Sequence, residues 1–430
     1  MNESVAPHQV IDRWDSAALG INLRQLQAFS AVAAAGSIAR AAEGLLRVPS
    51  AVTRSVLQLE GALGRPLFDR GSRGVTLNAS GELVLVRARR IEREFEEART
   101  HLVARGCIDS TVDPKSLFTS ILNGRRLAVI ASLSEKRNMP SVARDFGITQ
   151  PAISVALKDL EHGLGAALFE RRAGGLVPTV AGLIVAFHFK RVLAEVRHIV
   201  PDIAASDGTL QGSVHVGALP PGCTQILPMA IAALLARHPR LHIATVESPY
   251  DALAASLRNG DIDFMLGALR AEDDAVNLEQ QLLFEDHLSV IARAGHPLAR
   301  ARPIDVDLLR AAMWVLPRQG SPSREMFERF FSQADERPPI PAVETGDLAL
   351  LRGLLLESDM LTAISAHALR HEIRDGRLVV LDFPLAHTHH RIGLTQRLGA
   401  LPSPGARALM QEIEAVVARC ADIRPAPKAR

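Results

Sequence analysis

The stretch Leu59-Glu60-Gly61-Ala62-Leu63-Gly64-Arg65-Pro66-Leu67-Phe68-Asp69-Arg70 returns as Leu160-Glu161-His162-Gly163-Leu164-Gly165-Ala166-Ala167-Leu168-Phe169-Glu170-Arg171, displaced by 101 positions. The offset holds without gaps in both directions. It pairs Arg24 with Arg125, Leu26 with Leu127, Ala42 with Ala143, Ala51 with Ala152, Gly74 with Gly175 and Gly81 with Gly182. Shared composition does not keep register in this way, so the front of the chain reads as one unit present twice.

Each copy spells the same order of elements. A helix (Leu23 to Ala35; Leu127 to Ser134) precedes a short helix (Ile38 to Leu45; Pro140 to Phe146), a turn and a third helix (Ser50 to Leu63; Thr149 to Leu164). A glycine, Leu-Phe, an arginine and a Gly-containing loop follow, which suit a two-stranded wing. In such a winged helix-turn-helix the second helix of the pair enters the major groove and the wing touches backbone. Beyond each wing comes a longer helix with an apolar stripe: Val84, Ala88, Ile91, Phe95, Ala98, Leu102 and Val185, Phe189, Val192, Val196, Ile199, Ile203. The narrow heptad spacing predicts a helical partner rather than a broad globular core. The two stripes are able to pair within one chain, as a pseudo-dimer, or between chains. Pro201 is expected to kink or end the second helix.

The chain has 430 residues, enough for two to four domains. Its net charge of +2 hides a split. Residues 1–208 carry 26 basic and 21 acidic side chains, net +5, and residues 209–420 carry 20 and 25, net −5. A polyanion is therefore expected to meet the front. Three cysteines (Cys107, Cys223, Cys420) without a C-x-x-C exclude a disulfide framework or zinc ribbon and suit a reducing, cytoplasmic setting. No apolar run approaches the roughly 18 residues of a membrane span, so no membrane partner is expected. Aromatic content of 4% is thin for stacking unpaired bases.

These residues resemble the LysR-type transcriptional regulators. The second copy carries Ala143, Thr149-Gln150-Pro151-Ala152-Ile153-Ser154, Leu160-Glu161, Leu164-Gly165, Leu168-Phe169-Glu170-Arg171 and the run from Gly175 to Gly182. The first carries Leu23-Arg24-Gln25-Leu26, Ala28-Phe29, Gly36-Ser37, Ala41-Ala42 and the block from Leu59 to Arg70. The resemblance spans about residues 21–420, but the family ordinarily has one such module per chain. It implies a multidomain protein with two α-rich winged helix-turn-helix modules, 21–78 and 121–178, and linker helices at 79–104 and 179–205. An interdomain linker at 105–120 joins them. An α/β effector-binding domain at 211–420, of type 2 periplasmic-binding-protein kind, follows, with subdomains at 211–270 plus 391–420 and at 283–384. Double-stranded DNA, a small-molecule effector and a homo-oligomer (dimer or tetramer) through the linker helices and effector domain are the implied partners. No cofactor, metal or enzymatic activity is implied.

Candidate DNA contacts in the second copy are Gln150, Ser154 and Lys158, at i, i+4 and i+8 on one helix face, with Thr149 at the start of that helix and Arg171 and Arg172 on the wing. Gln pairs bidentately with adenine, and Lys and Arg suit guanine or phosphate. The first copy offers Ser50, Thr53, Arg54 and Gln58, with Arg65, Arg70 and Arg73 around its wing. Arg24 and Arg125 suit phosphate. The copies depart at the turn, where Val48-Pro49-Ser50 stands against Thr149-Gln150-Pro151, and at Thr53-Arg54 against Ser154-Val155, so their base reading is expected to differ.

From Gly212 short β-rich runs alternate with helical stretches, which predicts α/β structure with a mainly parallel sheet. Strands are expected at Ser213–Gly217, His242–Val246, Asp263–Gly267, Leu288–Ala292, Trp314–Leu316, Leu361–Ile364, Leu378–Leu381 and Arg391–Gln396. Ligand-facing residues are expected at strand C-ends and helix N-termini, where free N–H groups favour anions. These are Pro221, Cys223, Thr224, Ser248, Gly267, Arg318, Ser321 and Thr345. Arg318 suits a carboxylate clamp, whereas Thr224, Ser248, Ser321 and Thr345 also suit simple helix caps. The segments Leu266–Leu269, Trp314–Pro317 and Glu344–Gly346 look like the family's subgroup for aromatic or sugar-related acids, so an organic acid is the expected effector. Two alternatives stand beside this: a metal-dependent enzyme built on His387, His389 and His390, and redox sensing through Cys223.

Overall fold

The computed structural model describes residues 20–71, 74–110, 124–172, 175–219, 224–271, 273, 275–333 and 336–420. Arg73, Pro221, Cys223 and most of the 105–120 linker lie outside the described residues. The front comprises α1 (Leu23–Ala35), α2 (Ile38–Gly44), α3 (Pro49–Leu63), β1 (Phe68–Gly71), β2 (Gly74–Leu77) and α4 (Ala79–Ala104). The same order follows as α5 (Gly124–Lys136), α6 (Met139–Asp145), α7 (Gln150–Leu164), β3 (Phe169–Arg172), β4 (Gly175–Pro178) and α8 (Val180–Ser206). Each strand pair is an antiparallel hairpin.

The repeated residues have repeated jobs. Glu60 and Glu161 each accept, at 2.7 Å, the backbone N–H of the residue seven places on, Leu67 and Leu168, closing the third helix onto the wing. Asn78 and Thr179 cap α4 and α8 by accepting from Gly81 and Gly182. They also donate back to Pro66 and Ala167 carbonyls. At Gly81 a Cβ would sit 2.1 Å from the Leu67 carbonyl oxygen, and at Gly182 2.0 Å from that of Leu168, so only glycine fits.

All twelve stripe residues are buried, and one hydrophobic core runs from Ile21 to Ile203 through both modules. Within it α4 and α8 pack antiparallel in the same chain. Arg87 meets Asp202, whereas Glu94 and His101 meet His188. Phe95 and Phe189 stack edge-on, with ring centroids 6.4 Å apart. Pro201 does not end the helix: α8 continues through it to Ser206. The proline is buried, and its ring closes on Gly212, so packing offsets the lost hydrogen bond.

The rear comprises β5 (Gly212–Ala218), α9 (Ile226–Arg237), β6 (Leu241–Glu247), α10 (Tyr250–Asn259), β7 (Phe264–Ala268), β8 (Leu278–Arg293), α11 (Val306–Ala311), β9 (Val315–Leu316), α12 (Pro322–Gln333), β10 (Val343–Glu344), α13 (Leu348–Glu357), β11 (Thr362–Ser365), α14 (Arg370–Arg374), β12 (Leu378–Arg397) and α15 (Pro404–Arg419). The main sheet runs β11-β8-β12-β7-β5-β6. It is mixed, not mainly parallel: β5 pairs parallel with β6 and β7, while β8, β11 and β12 bring antiparallel pairings. The two short runs at 378–381 and 391–396 belong to one strand, β12, which with β8 passes through two hydrophobic cores. One core holds Val214, Phe264, Phe284 and Ile392, the other Leu288, Trp314, Phe327 and Leu385.

The rear docks on α8, which buries 17 of its 27 residues where α4 buries 10 of 26. Asp263 accepts from Arg197 at 3.2 Å and from the His215 backbone N–H at 2.8 Å, with His198 at 3.1 Å. Lys190 reaches Asp261 at 3.0 Å. Burial, reinforced by the Arg197 charge, pushes the His215 imidazole down to about 4. Burial alone would raise the Asp263 carboxyl, but Arg197, His198 and His215 outweigh it and hold it below the ordinary carboxylate range.

Gly81→Ala and Gly182→Ala are each expected to cost about 3 kcal/mol or more, the upper range for overpacking, measured by denaturant unfolding. His215 is held neutral in the fold, so its contribution is complete above its ordinary pKa of about 6.5 and is lost as pH falls toward 4. Thermal midpoints should therefore hold from pH 8 to 7 and drop between pH 6.5 and 4. His215→Gln should make that drop shallower.

Candidate nucleic-acid interface and ligand cleft

On α3, Ser50, Arg54 and Gln58 are exposed. Gln58 accepts from Gln25 Nε2 at 3.2 Å, which fixes its amide. Thr53 is half-buried and donates to the Pro49 carbonyl at 2.9 Å, so its hydroxyl already serves the helix. Pro49 opens this helix with its preset φ, and Val48 supplies no side-chain cap. On α7, Gln150 and Lys158 are exposed. Thr149 is the cap, accepting from Ala152 N–H at 3.4 Å, and half-buried Ser154 donates to Met139 Sδ at 3.4 Å.

The position equivalent to Arg54 is Val155, which is 57% exposed. It lines an apolar groove with Val129, Ile148, Pro151 and Ala152, edged by Arg125 and Arg126. Val155 was absent from the candidate contacts because it bears no polar group, although the offset of 101 points straight to it. Arg24 is exposed at the start of α1, whereas the Arg125 guanidinium donates to the Phe146 carbonyl and so braces α5 on α6. Arg65 pairs with Asp207, at the end of α8, which removes it from the wing contacts. Arg70 lies on β1 and Arg171 is exposed on β3, where Arg172 pairs with exposed Glu170 at 3.1 Å.

In the rear, Thr224 donates to the His367 carbonyl at 3.3 Å, and the His367 ring meets Phe284 edge-on at 6.2 Å. Thr224 thus touches the segment after β11. Ser321 Oγ is buried without a hydrogen-bond partner among the described residues, so it does not act as a cap. Thr345 is buried and accepts from the Asp347 N–H at 3.0 Å, a structural task. Gly267 is buried where a Cβ would stand 2.4 Å from that of Leu219, so its smallness serves packing. Ser248 is half-buried ahead of α10, and Arg318 is exposed, its Nε passing 3.7 Å from a Cβ built on Gly346.

The three histidines do not form a close ligand set among the described residues. They lie on β12 across a register shift opposite β8, with His387 at φ 59° and His389 facing out while His390 is buried. Among the described residues, the one close group of metal-ligand type is Glu94, Glu97 and His188, and there the Arg191 guanidinium already occupies Glu94 at 2.6 Å. His390 Nε2 stands 3.9 Å from Asp286 Oδ2 between the two rear cores. Neither His390 ring nitrogen nor Asp286 Oδ2 makes a well-formed hydrogen bond among the described residues, although both side chains are over nine-tenths buried. Burial holds His390 below its ordinary pKa against the opposing pull of Asp286. Neither residue stood among the expected ligand contacts, since their pairing depends on strand register.

Residues 23–82 and 125–183 match the family described as bacterial regulatory helix-turn-helix protein, lysR family, and residues 207–418 match the LysR substrate binding domain. The transcriptional regulator GalR of Pseudomonas putida is 46% identical over 397 residues, covering 92% of this chain and 97% of GalR. GbpR of Azospirillum brasilense is 28% identical over 292 residues, covering 68% of this chain and 85% of its own. Among solved structures, a full-length OxyR variant from Pseudomonas aeruginosa (22% identity, TM-score 0.53) covers 72% of this chain and 98% of its own. CbnR (19%, TM-score 0.50) covers 68% and 99%, and these two share the fold. With the helix-turn-helix geometry and the two matched regions together, the chain belongs to the LysR family and is a DNA-binding transcriptional regulator, not an enzyme.

Proposed function

We propose that the front is a tandem duplication in which both modules read DNA, so that one chain supplies the pair of readers that two chains of the family ordinarily supply. The antiparallel pairing of α4 with α8 inside one chain carries this reading. The match to GalR over nine-tenths of the chain supports it, since a single module plus the rear would be shorter. The half-sites differ, because Arg54 suits guanine where Val155 and Ala152 suit a thymine methyl. Gln150, Lys158 and Arg171 in one module, and Ser50, Gln58 and Arg70 in the other, complete the contacts, with Arg24 on phosphate. In such motifs the half-sites lie one helical turn, about 34–36 Å, apart.

The rear is the effector domain, with subdomains at 211–270 plus 391–420 and at 283–384 moving about the β8–β12 crossing. Its ligand is a small organic acid, with Arg318 on the carboxylate and Thr224 and Ser321 beside it.

Binding-site selection with the full chain should return two unlike half-sites. Arg54→Ala should lose about 1–3 kcal/mol of discrimination at one base pair of one half-site. Val155→Arg should shift the other half-site toward guanine at the equivalent position. A footprint and affinity unchanged by Arg54→Ala would make the first module structural.

A further inference from the structure

The offset of 101 turns Arg87, Arg90, Glu94 and His101 into His188, Arg191, Glu195 and Asp202. Because α4 and α8 run antiparallel, these eight residues meet as two related corners. At one, Arg87 Nη1 donates to Glu195 at 2.7 Å, Arg87 Nε to Asp202 at 2.6 Å, and Arg90 Nε to Glu195 at 2.7 Å. At the other, His188 Nδ1 lies 3.0 Å from Glu94, His188 Nε2 lies 2.9 Å from His101, and Arg191 reaches Glu94 at 2.6 Å. The corners keep Arg90/Arg191 and Glu94/Glu195 alike and differ at Arg87/His188 and His101/Asp202.

Only the arginine corner, among the described residues, also hydrogen-bonds the rear of the chain. Arg87 Nη1 donates to the Leu401 carbonyl at 2.7 Å and Arg90 Nη2 to that of Gly399 at 3.0 Å, and Arg397 lies 3.7 Å from Glu195. These residues are the end of β12 and the turn after it. The hydrogen bonds and ion pairs of His188, Glu94, His101 and Arg191 stay within α4 and α8. Arg87 is fully buried. A planar fork with five donors spans two carboxylates and a carbonyl set on different sides of it, a spread that the two nitrogens of an imidazole or a compact ammonium do not match.

We propose that Arg87 is a positioning residue for DNA reading: it clamps both linker helices against the end of β12 and so fixes one separation between α3 and α7. This rests on the reading that both modules engage DNA. A buried charge cluster with one acceptable geometry specifies register even where it adds little net stability. Replacing Arg87 leaves the half-site sequences alone, because no recognition residue is touched, and loosens the distance between them.

The test is binding-site selection and footprinting with the full chain, comparing wild type, Arg87→Lys, the charge-balanced double variant Arg87→Met/Asp202→Asn, and Glu94→Gln at the other corner. The double variant guards against unfolding from an uncompensated buried carboxylate. Wild type should return one half-site spacing. Both Arg87 variants should return the same half-sites with spacings spread over several base pairs, and should bind the wild-type spacing about tenfold more weakly. Glu94→Gln should keep the single spacing, and a general loss of stability would lower affinity at every spacing alike. Unchanged spacing in both Arg87 variants, or a spread as wide in Glu94→Gln, would overturn the proposal. A wild-type footprint on one half-site alone would instead overturn the two-reader reading on which it stands.

Discussion

Everything in this molecule is hung on the antiparallel contact of α4 and α8. The two apolar stripes close on each other along a narrow seam, and because α1 and α5 pack on the same core, the seam sets where both modules stand. The contact is lopsided. The outer face of α4 stays polar, with Arg89, Arg93, Glu96 and Thr100 exposed, while the outer face of α8 is covered by the rear lobe. A pair with twofold symmetry would carry two such lobes, whereas here one lobe meets the Arg87 and Arg90 corner.

The repeat also shows which residues a winged module needs for its own integrity. Glu60/Glu161, Asn78/Thr179 and Gly81/Gly182 recur because each satisfies a backbone group or leaves room for one. Positions 54/155, 57/158 and 58/159 on the third helix, exposed and free of such duties, differ between copies.

The front was largely legible in the sequence. The bounds of α1 follow from Asn22, whose side chain caps the first turn, and from Gly36, which turns left-handed at φ 63° to stop it. Pro201 does not mark the end of α8, because a proline near the end of a long helix removes one hydrogen bond while its ring gains a packing partner at Gly212. In the rear, β8 and β12 read as short strands, since the polar stretch at 285–287 and 386–391 interrupts their apolar runs just where they pass between cores. Alternating strands and helices suggested parallel pairing, but that alternation does not distinguish a parallel neighbour from a strand returning through the sheet. Contacts made by register alone, such as Asp286 with His390, have no local signature.

Holding both modules on one polypeptide changes the dependence on protein concentration. Two separate chains must find each other before a pair of readers exists, and dilution takes them apart. Here the second module is always present at the effective concentration set by the connection between α4 and α5, on the millimolar scale typical of short tethers. The covalent link therefore keeps the two helix-turn-helix segments together at any dilution, whatever assembly the whole chains go on to form.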